Sequence, residues 1–261
     1  MPSTYAHYRF GCAMLATMPG DMKRTVQRFR RLFDVGIHGP DILHYQPSLF
    51  RGDPGFLGIK YHEQSGKDFF QRVCRAIRME RSEAALAYLY GVLCHYCLDS
   101  VCYPLIKMQS GIGPASASEI ETEFDRFLLE ADGKIPPCAQ DLSNHLKLTP
   151  GECATVAKFY PPATAHGIQE CLTRMSRLTK LLAVPEGAKR TMLKKTFSVF
   201  ARDYRGMIMT DGPNPSCAPL DNLLMDLYRQ AEIRFPKLLD QLQAHITYSA
   251  PLEKEFEPPF A

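Results

Sequence analysis

The stretch from Glu83 to Cys102 constrains this chain more than any other. Ser82 and Glu83 open a helix on which Ala84, Ala85, Leu86, Leu89, Val92, Leu93 and Leu98 place apolar side chains nearly all round. A helix without a polar face belongs in the middle of other elements. What can surround it is also restricted. Sustained apolar–polar alternation is scarce, and no Asn-Gly or Asp-Gly turn joins two alternating runs, so no sheet is expected. Helical periods are frequent instead. Asp21 can cap a helix through about Phe33, with Val26, Phe29, Leu32 and Phe33 on one face. Phe69, Phe70, Val73 and Ile77 repeat the period over 65–80, and Ser116 or Ser118 opens a helix through Phe124, Phe127 and Leu128. Thr149-Pro150-Gly151-Glu152 supplies a cap, a proline at the first helical position and an acid soon after. Further helices are expected over 163–183, 186–206 and 219–246. The expected fold is therefore all-α, a single compact multi-helix domain over 1–261.

The 261 residues are ample for a sizeable core. Lys and Arg total 31 against 28 Asp and Glu, a net charge of +3 without a long basic run, which excludes a dedicated nucleic-acid coat. The basic helix of Lys23, Arg24, Arg28, Arg30 and Arg31 reads as a solvated face or a weak attraction to anionic phosphate. The chain starts without the basic and apolar regions of a signal peptide, and no window approaches 18 uninterrupted apolar residues, so no transmembrane segment is expected. Nine scattered cysteines then read as free thiols of a cytoplasmic protein. Cys94-x-x-Cys97 sits mid-helix without a second pair, and reads as buried thiols rather than a redox motif.

Two irregular stretches stand out as working loops. Residues 36–64 carry Gly36, Gly39, Pro40, Pro47, Gly52, Pro54, Gly55 and Gly58, and 211–217 read Asp-Gly-Pro-Asn-Pro-Ser-Cys. Each is expected to wall a cleft. The sharpest polar feature is His95-x-x-x-Asp99 on the apolar helix, where the i,i+4 spacing puts imidazole and carboxylate on one face. A charged Asp99 in such a helix needs a cation or donors. A His–Asp hydrogen bond within the core is one solution. A metal ion is the other, because His7, Asp41 and His62 complete a nitrogen and oxygen set suited to zinc or a similar transition ion. His38 and His44 flank Asp41 as loop polarity or as support for it. His145, His166 and His245 read as surface or capping residues.

Taken in order, Ser3-Thr4-Tyr5-Ala6-His7, His38-Gly39-Pro40-Asp41-Ile42, Tyr61-His62-Glu63-Gln64, Tyr88-Leu89-Tyr90-Gly91 before His95-x-x-x-Asp99, and Glu119-Ile120-Glu121-x-Glu123-Phe124-Asp125-Arg126 resemble the prokaryotic zinc-dependent phospholipase C family, in particular its cytoplasmic, uncharacterised bacterial branch. The resemblance is strongest over 3–130 and weaker beyond, where Asn214-Pro215-Ser216-Cys217 also looks family-like. It implies an all-helical fold with up to three zinc ions at the bottom of a cleft. Asp41, His62, His95 and Asp99 would serve one ion, Asp99 bridging, and His7 a neighbouring ion. The family's terminal Trp ligand has no counterpart, and Pro2 is too far from His7 in sequence to count in its place.

The family's remaining ion uses a His soon after the bridging Asp and a later His-x-x-x-Glu. Tyr103 and Ala117 stand where those histidines are expected, leaving Glu121, with Tyr103, as a remnant third site. Glu119, Glu121, Glu123 and Asp125 read equally well as a solvated acidic first turn. The implied activity is hydrolysis of a phosphodiester or other phosphate ester, phospholipids among them, by one or two zinc ions (or iron or manganese), with Asp41 as catalytic base. The alternative is a catalytically degenerate member that binds a phosphorylated ligand or a partner protein.

Overall fold

A computed structural model describes residues 4–46, 56–185, 187–200 and 206–261. Among them every regular element is helical, apart from one isolated antiparallel bridge between Ser65 and Pro259. Pro2, the four loop residues Pro47, Gly52, Pro54 and Gly55, and the end of the helix expected over 186–206 lie outside the described residues.

The apolar helix is the axis of the molecule. It is α6, Glu83–Ile112, capped by the Ser82 hydroxyl, which accepts from the Ala85 amide at 3.2 Å. Around it pack α1 (Thr4–Thr17), α2 (Gly20–Arg28), α3 (Arg30–Gly36), α5 (Gly66–Glu80), α7 (Ala117–Ala131), α8 (Pro150–Ala157) and α11 (Asp221–Tyr248). A 3-10 helix, Gly39–Tyr45, also reaches α6 and pairs with α4 (Phe56–Glu63) and α9 (Ala165–Leu182), while α10 is Ala188–Phe200. By length and composition α6 could cross a bilayer, contrary to the expectation from uninterrupted apolar runs. However, 78% of its most apolar window is buried inside the fold, as in a core helix.

Several boundaries differ from the sequence reading for identifiable reasons. The helix expected over 21–33 is two helices, because Phe29 leaves helical geometry (φ −118°, ψ 40°). The break lets Leu32, Phe33 and Val35 bury fully as α3 packs on α6. α6 continues past Cys102 through Pro104, whose ring is exposed and whose missing N–H removes one bond only. The 36–64 segment is not wholly irregular, since it contains the 3-10 helix and α4. The N-terminal helix α1 was not anticipated. The boxes at Ser116/Glu119 and Thr149/Glu152 form as the residue types require.

Closeness between α3 and α6 depends on two glycines. A Cβ on Gly36 would lie 3.2 Å from the Gly91 Cα and run into the Tyr88 carbonyl. With neither side chain present, the backbones touch, and the chain leaving α3 is delivered against the face of α6 that carries His95.

Candidate metal centre

Four elements contribute to one polar cluster inside this core. His7 comes from α1, Asp41 from the 3-10 helix, His62 from the last turn of α4, and His95 and Asp99 from α6. His7, Asp41, His62 and His95 are buried, and Asp99 is the most open, its side chain 16% exposed. All five residues singled out in the sequence are thus brought together.

Gly39 fixes the contact between the 3-10 helix and α6. Its φ of +48° is a left-handed conformation, and a Cβ there would meet the His95 ring, 2.7 Å from Cγ. Asp41 follows two residues on, and its Oδ1 lies 2.9 Å from His62 Nε2. His62 is oriented by its other nitrogen, where Nδ1–H donates to the Gly58 carbonyl at 2.7 Å. That bond leaves the Nε2 lone pair facing Asp41, the arrangement that supports a metal-binding histidine. The carboxylate of Asp99 is divided. Oδ1 lies 3.1 Å from His7 Nε2 and Oδ2 lies 3.2 Å from His95 Nε2. The His7 and His95 rings stack at 4.5 Å.

These short contacts are not a satisfied hydrogen-bond network. Asp41 Oδ1, His62 Nε2 and His95 Nε2 are buried and have no partner in hydrogen-bond geometry. Buried polar atoms left so are costly, about 1–3 kcal/mol each, and a cation placed among them removes that cost. Two triads, His7–His95–Asp99 and Asp41–His62–His95, each hold their ligand atoms within 4.8 Å of one another. A tetrahedral ion with bonds of about 2.0–2.2 Å needs ligand atoms roughly 3.3–3.6 Å apart, so small side-chain adjustments suffice. The donor set therefore fits zinc, iron or manganese.

The protonation states of Asp41, Asp99 and His95 suit the same use, whereas His7 would have to give up a proton to bind. Burial opposes ionisation of Asp41, yet its carboxyl is lowered well below the usual range, with His62 and His95 among the causes. Asp99 is lowered against burial by His95 and His7. Burial pushes His95 down to about 4, so its ring is neutral at physiological pH. His7 is raised despite burial, because Asp99 faces it. Ionised carboxylates and neutral imidazole are the forms that bind a transition ion.

Glu121 and Tyr103 border the cluster. Burial, with Asp41 and Asp99 adding, raises the Glu121 carboxyl to about 8. Tyr103, half-buried one turn beyond Asp99, is raised by burial and by Glu121, Asp99 and Asp41. The solvated acidic turn expected on α7 is not found. Glu121, Glu123 and Asp125 are buried. Asp125 caps α1, accepting from the Tyr5 and Ala6 amides at 2.9 and 2.8 Å. Glu123 accepts from Arg126 Nε at 2.7 Å and from the Asn214 amide at 2.9 Å, which ties the 211–217 loop to α7.

Of the two histidines that flank Asp41 in sequence, His44 supports the site, and other contacts come from farther along the chain. His44 packs 5.0 Å from His62, ring to ring, and burial lowers it to about 4. The chain's last residues run beneath the cluster. Phe260 lies 6.1 Å from His95, and the Ala261 amide donates to the His62 carbonyl at 3.2 Å. His145 is half-buried and packs on His38, whereas His245 does cap α11, by a 2.6 Å contact between Nδ1 and the Ala250 carbonyl. Cys94 and Cys97 are buried, and burial pushes the Cys97 thiol up to about 12. Comparison of the chain with protein-family models, with curated proteins and with solved structures finds no match.

Proposed function

We propose that the chain is a metal-dependent hydrolase of phosphate esters, built like a zinc-dependent phospholipase C, in which Asp99 would serve a centre of one or two metal ions. The observation that carries this reading is the division of Asp99 between two histidines, Oδ1 toward His7 and Oδ2 toward His95, beside buried His62 and Asp41 atoms that lack hydrogen-bond partners. A core His–Asp hydrogen bond needs one imidazole for one carboxylate. Here three imidazoles meet two carboxylates. Asp41, His62, His95 and Asp99 would hold one ion, and His7 with Asp99 the other. When bound, zinc supplies charge for the phosphoryl oxygens and makes hydroxide available near neutral pH.

The protein's own groups set the rest of the reaction. The Gly58 carbonyl and the Gly39 contact orient His62 and His95, so little reorganisation accompanies turnover. Asp41 stays ionised and would be the base for the attacking water. Approach is from the side of Asp99 and Tyr103, the most open members. Without a third ion, leaving-group stabilisation is weak, which favours substrates with good leaving groups. Hydrolysis of an aryl phosphodiester and monoester by the zinc-loaded protein tests this. Turnover that Asp99→Ala abolishes supports it, and no turnover above that variant overturns it.

A second reading rests on Tyr103, which stands on α6 where the resemblance calls for histidine. On this reading the ions hold a phosphorylated ligand without hydrolysis. Zinc-dependent binding of inorganic phosphate without ester turnover would favour it.

A further inference from the structure

Residues 253–261 pass behind the candidate metal centre, and their anchors stand beside its ligands. The Ala261 amide donates to the carbonyl of His62 itself at 3.2 Å. Tyr96 follows His95 on α6, and its hydroxyl is shared between the Glu255 and Pro258 carbonyls at 3.0 and 3.1 Å. The Gly66 amide donates to the same Pro258 carbonyl at 3.0 Å, next to the bridge between Ser65 and Pro259 and just past the end of α4. Arg234 on α11 is the remaining tie. Its Nη2–H donates to the Glu255 carbonyl at 2.7 Å, and its Nη1–H donates at 3.0 Å to Oγ of Ser100, the residue after Asp99. Phe260 is completely buried among these anchors. Its ring centre lies 5.1 Å from Tyr96, 6.1 Å from His95 and 5.0 Å from Phe69.

The aromatic contacts alone would seat this segment against the core. They do not require a guanidinium that joins it to α6 one residue from Asp99, or a hydrogen bond to the peptide of His62. We propose that Arg234 and Phe260 are positioning residues of the metal centre, holding His62, His95 and Asp99 in their ligating arrangement through the segment 253–261; this rests on the metal reading above. The planar fork of Arg234 reaches two acceptors at once, which a lysine ammonium on a flexible stem does not reproduce. Phe260 backs the His95 ring. Seating of the segment and binding of the ion then favour each other by the same factor, since coupling between sites is reciprocal.

Zinc competition against a chromophoric chelator, with the visible spectrum of the cobalt-substituted protein, tests this on the full chain. Phe260→Ala and Arg234→Lys should each lose zinc affinity by about tenfold or more and alter the cobalt bands, while Phe260→Leu recovers affinity to within about threefold of the unaltered chain. Leu242, completely buried on α11, supplies the control. Leu242→Ala opens a cavity in the same core and should lower Tm while keeping zinc affinity and cobalt bands. Hydrogen exchange is the second readout, and zinc should slow exchange of the Ala261 amide by about tenfold or more. It decides together with Arg234→Lys if Phe260→Ala does not fold. Zinc affinity unchanged in Phe260→Ala and Arg234→Lys, or lost equally in Leu242→Ala, overturns the positioning role and leaves the metal centre standing. Exchange of the Ala261 amide that ignores bound zinc also overturns it. No zinc bound by the unaltered chain overturns the metal centre and this inference together.

Discussion

Replacing Gly39 by Ala separates the positioning of His95 from its chemistry. An alanine at φ +48° carries a left-handed strain of about 1–2 kcal/mol. Its Cβ would also lie 2.7 Å from His95 Cγ, and that ring is fully buried on a packed helix. Overpacking of this kind adds about 1–3 kcal/mol. The sum, about 2–5 kcal/mol, corresponds to a Tm lowered by roughly 4–10 °C for a domain of this size. Gly133→Ala is the control, since φ there is +71° and nothing lies within 4 Å of the added carbon. It should show the strain alone. Thermal unfolding of the metal-free proteins measures the first effect, and zinc competition against a chromophoric chelator the second. Displacing an oriented ligand weakens metal binding about 10–100-fold, so Gly39→Ala should lose affinity and Gly133→Ala should keep it. Unchanged zinc affinity in a destabilised Gly39→Ala protein would refute His95 as a ligand held by this contact.

Three further outcomes are expected. Arg126→Met strands the buried Glu123 carboxylate and should lower stability in chemical denaturation by about 3–5 kcal/mol, with zinc stoichiometry unchanged. Glu121, usually near 4.5 and raised by burial to about 8, binds a proton in the folded state that the unfolded state has lost between those values. Stability of the metal-free protein should therefore fall as pH rises from about 4.5 to 8, by at most about 1.4 kcal/mol per pH unit, and Glu121→Gln should flatten that slope. Iodoacetamide followed by mass spectrometry should label Cys12 first, because the other eight thiols, Cys94 and Cys97 among them, are buried.

What could be read from the residues followed from local rules in which a single effect outweighs the others. α6 was legible because it lacks a polar face, and the start of α8 because Thr149, Pro150 and Glu152 each suit a terminal position of the helix. α1 escaped because its run from Thr4 to Thr17 has no acid in its first turn and no strong stripe. The α7 acids were misjudged for a different reason. Local sequence makes an acidic turn look solvated, whereas burial is decided by donors far along the chain, the α1 amides for Asp125 and the Asn214 amide, beside Arg126, for Glu123. The same holds at the candidate site. His95-x-x-x-Asp99 is a local spacing and could be seen. The orienting Gly58 carbonyl and the Phe260 contact depend on tertiary packing, whereas His44 beside Asp41 could be weighed as support, and Gly39-Pro40 and a glycine one turn before His62 were available signals.

If Asp99 joins two ions, their number is open to measurement by native mass spectrometry of zinc-reconstituted, untagged protein, beside Asp99→Ala and His95→Ala. Two zinc ions in the unaltered chain, none or one in Asp99→Ala and fewer than two in His95→Ala, are the expected result. Two ions retained in both variants, or no zinc in the unaltered chain, would contradict it.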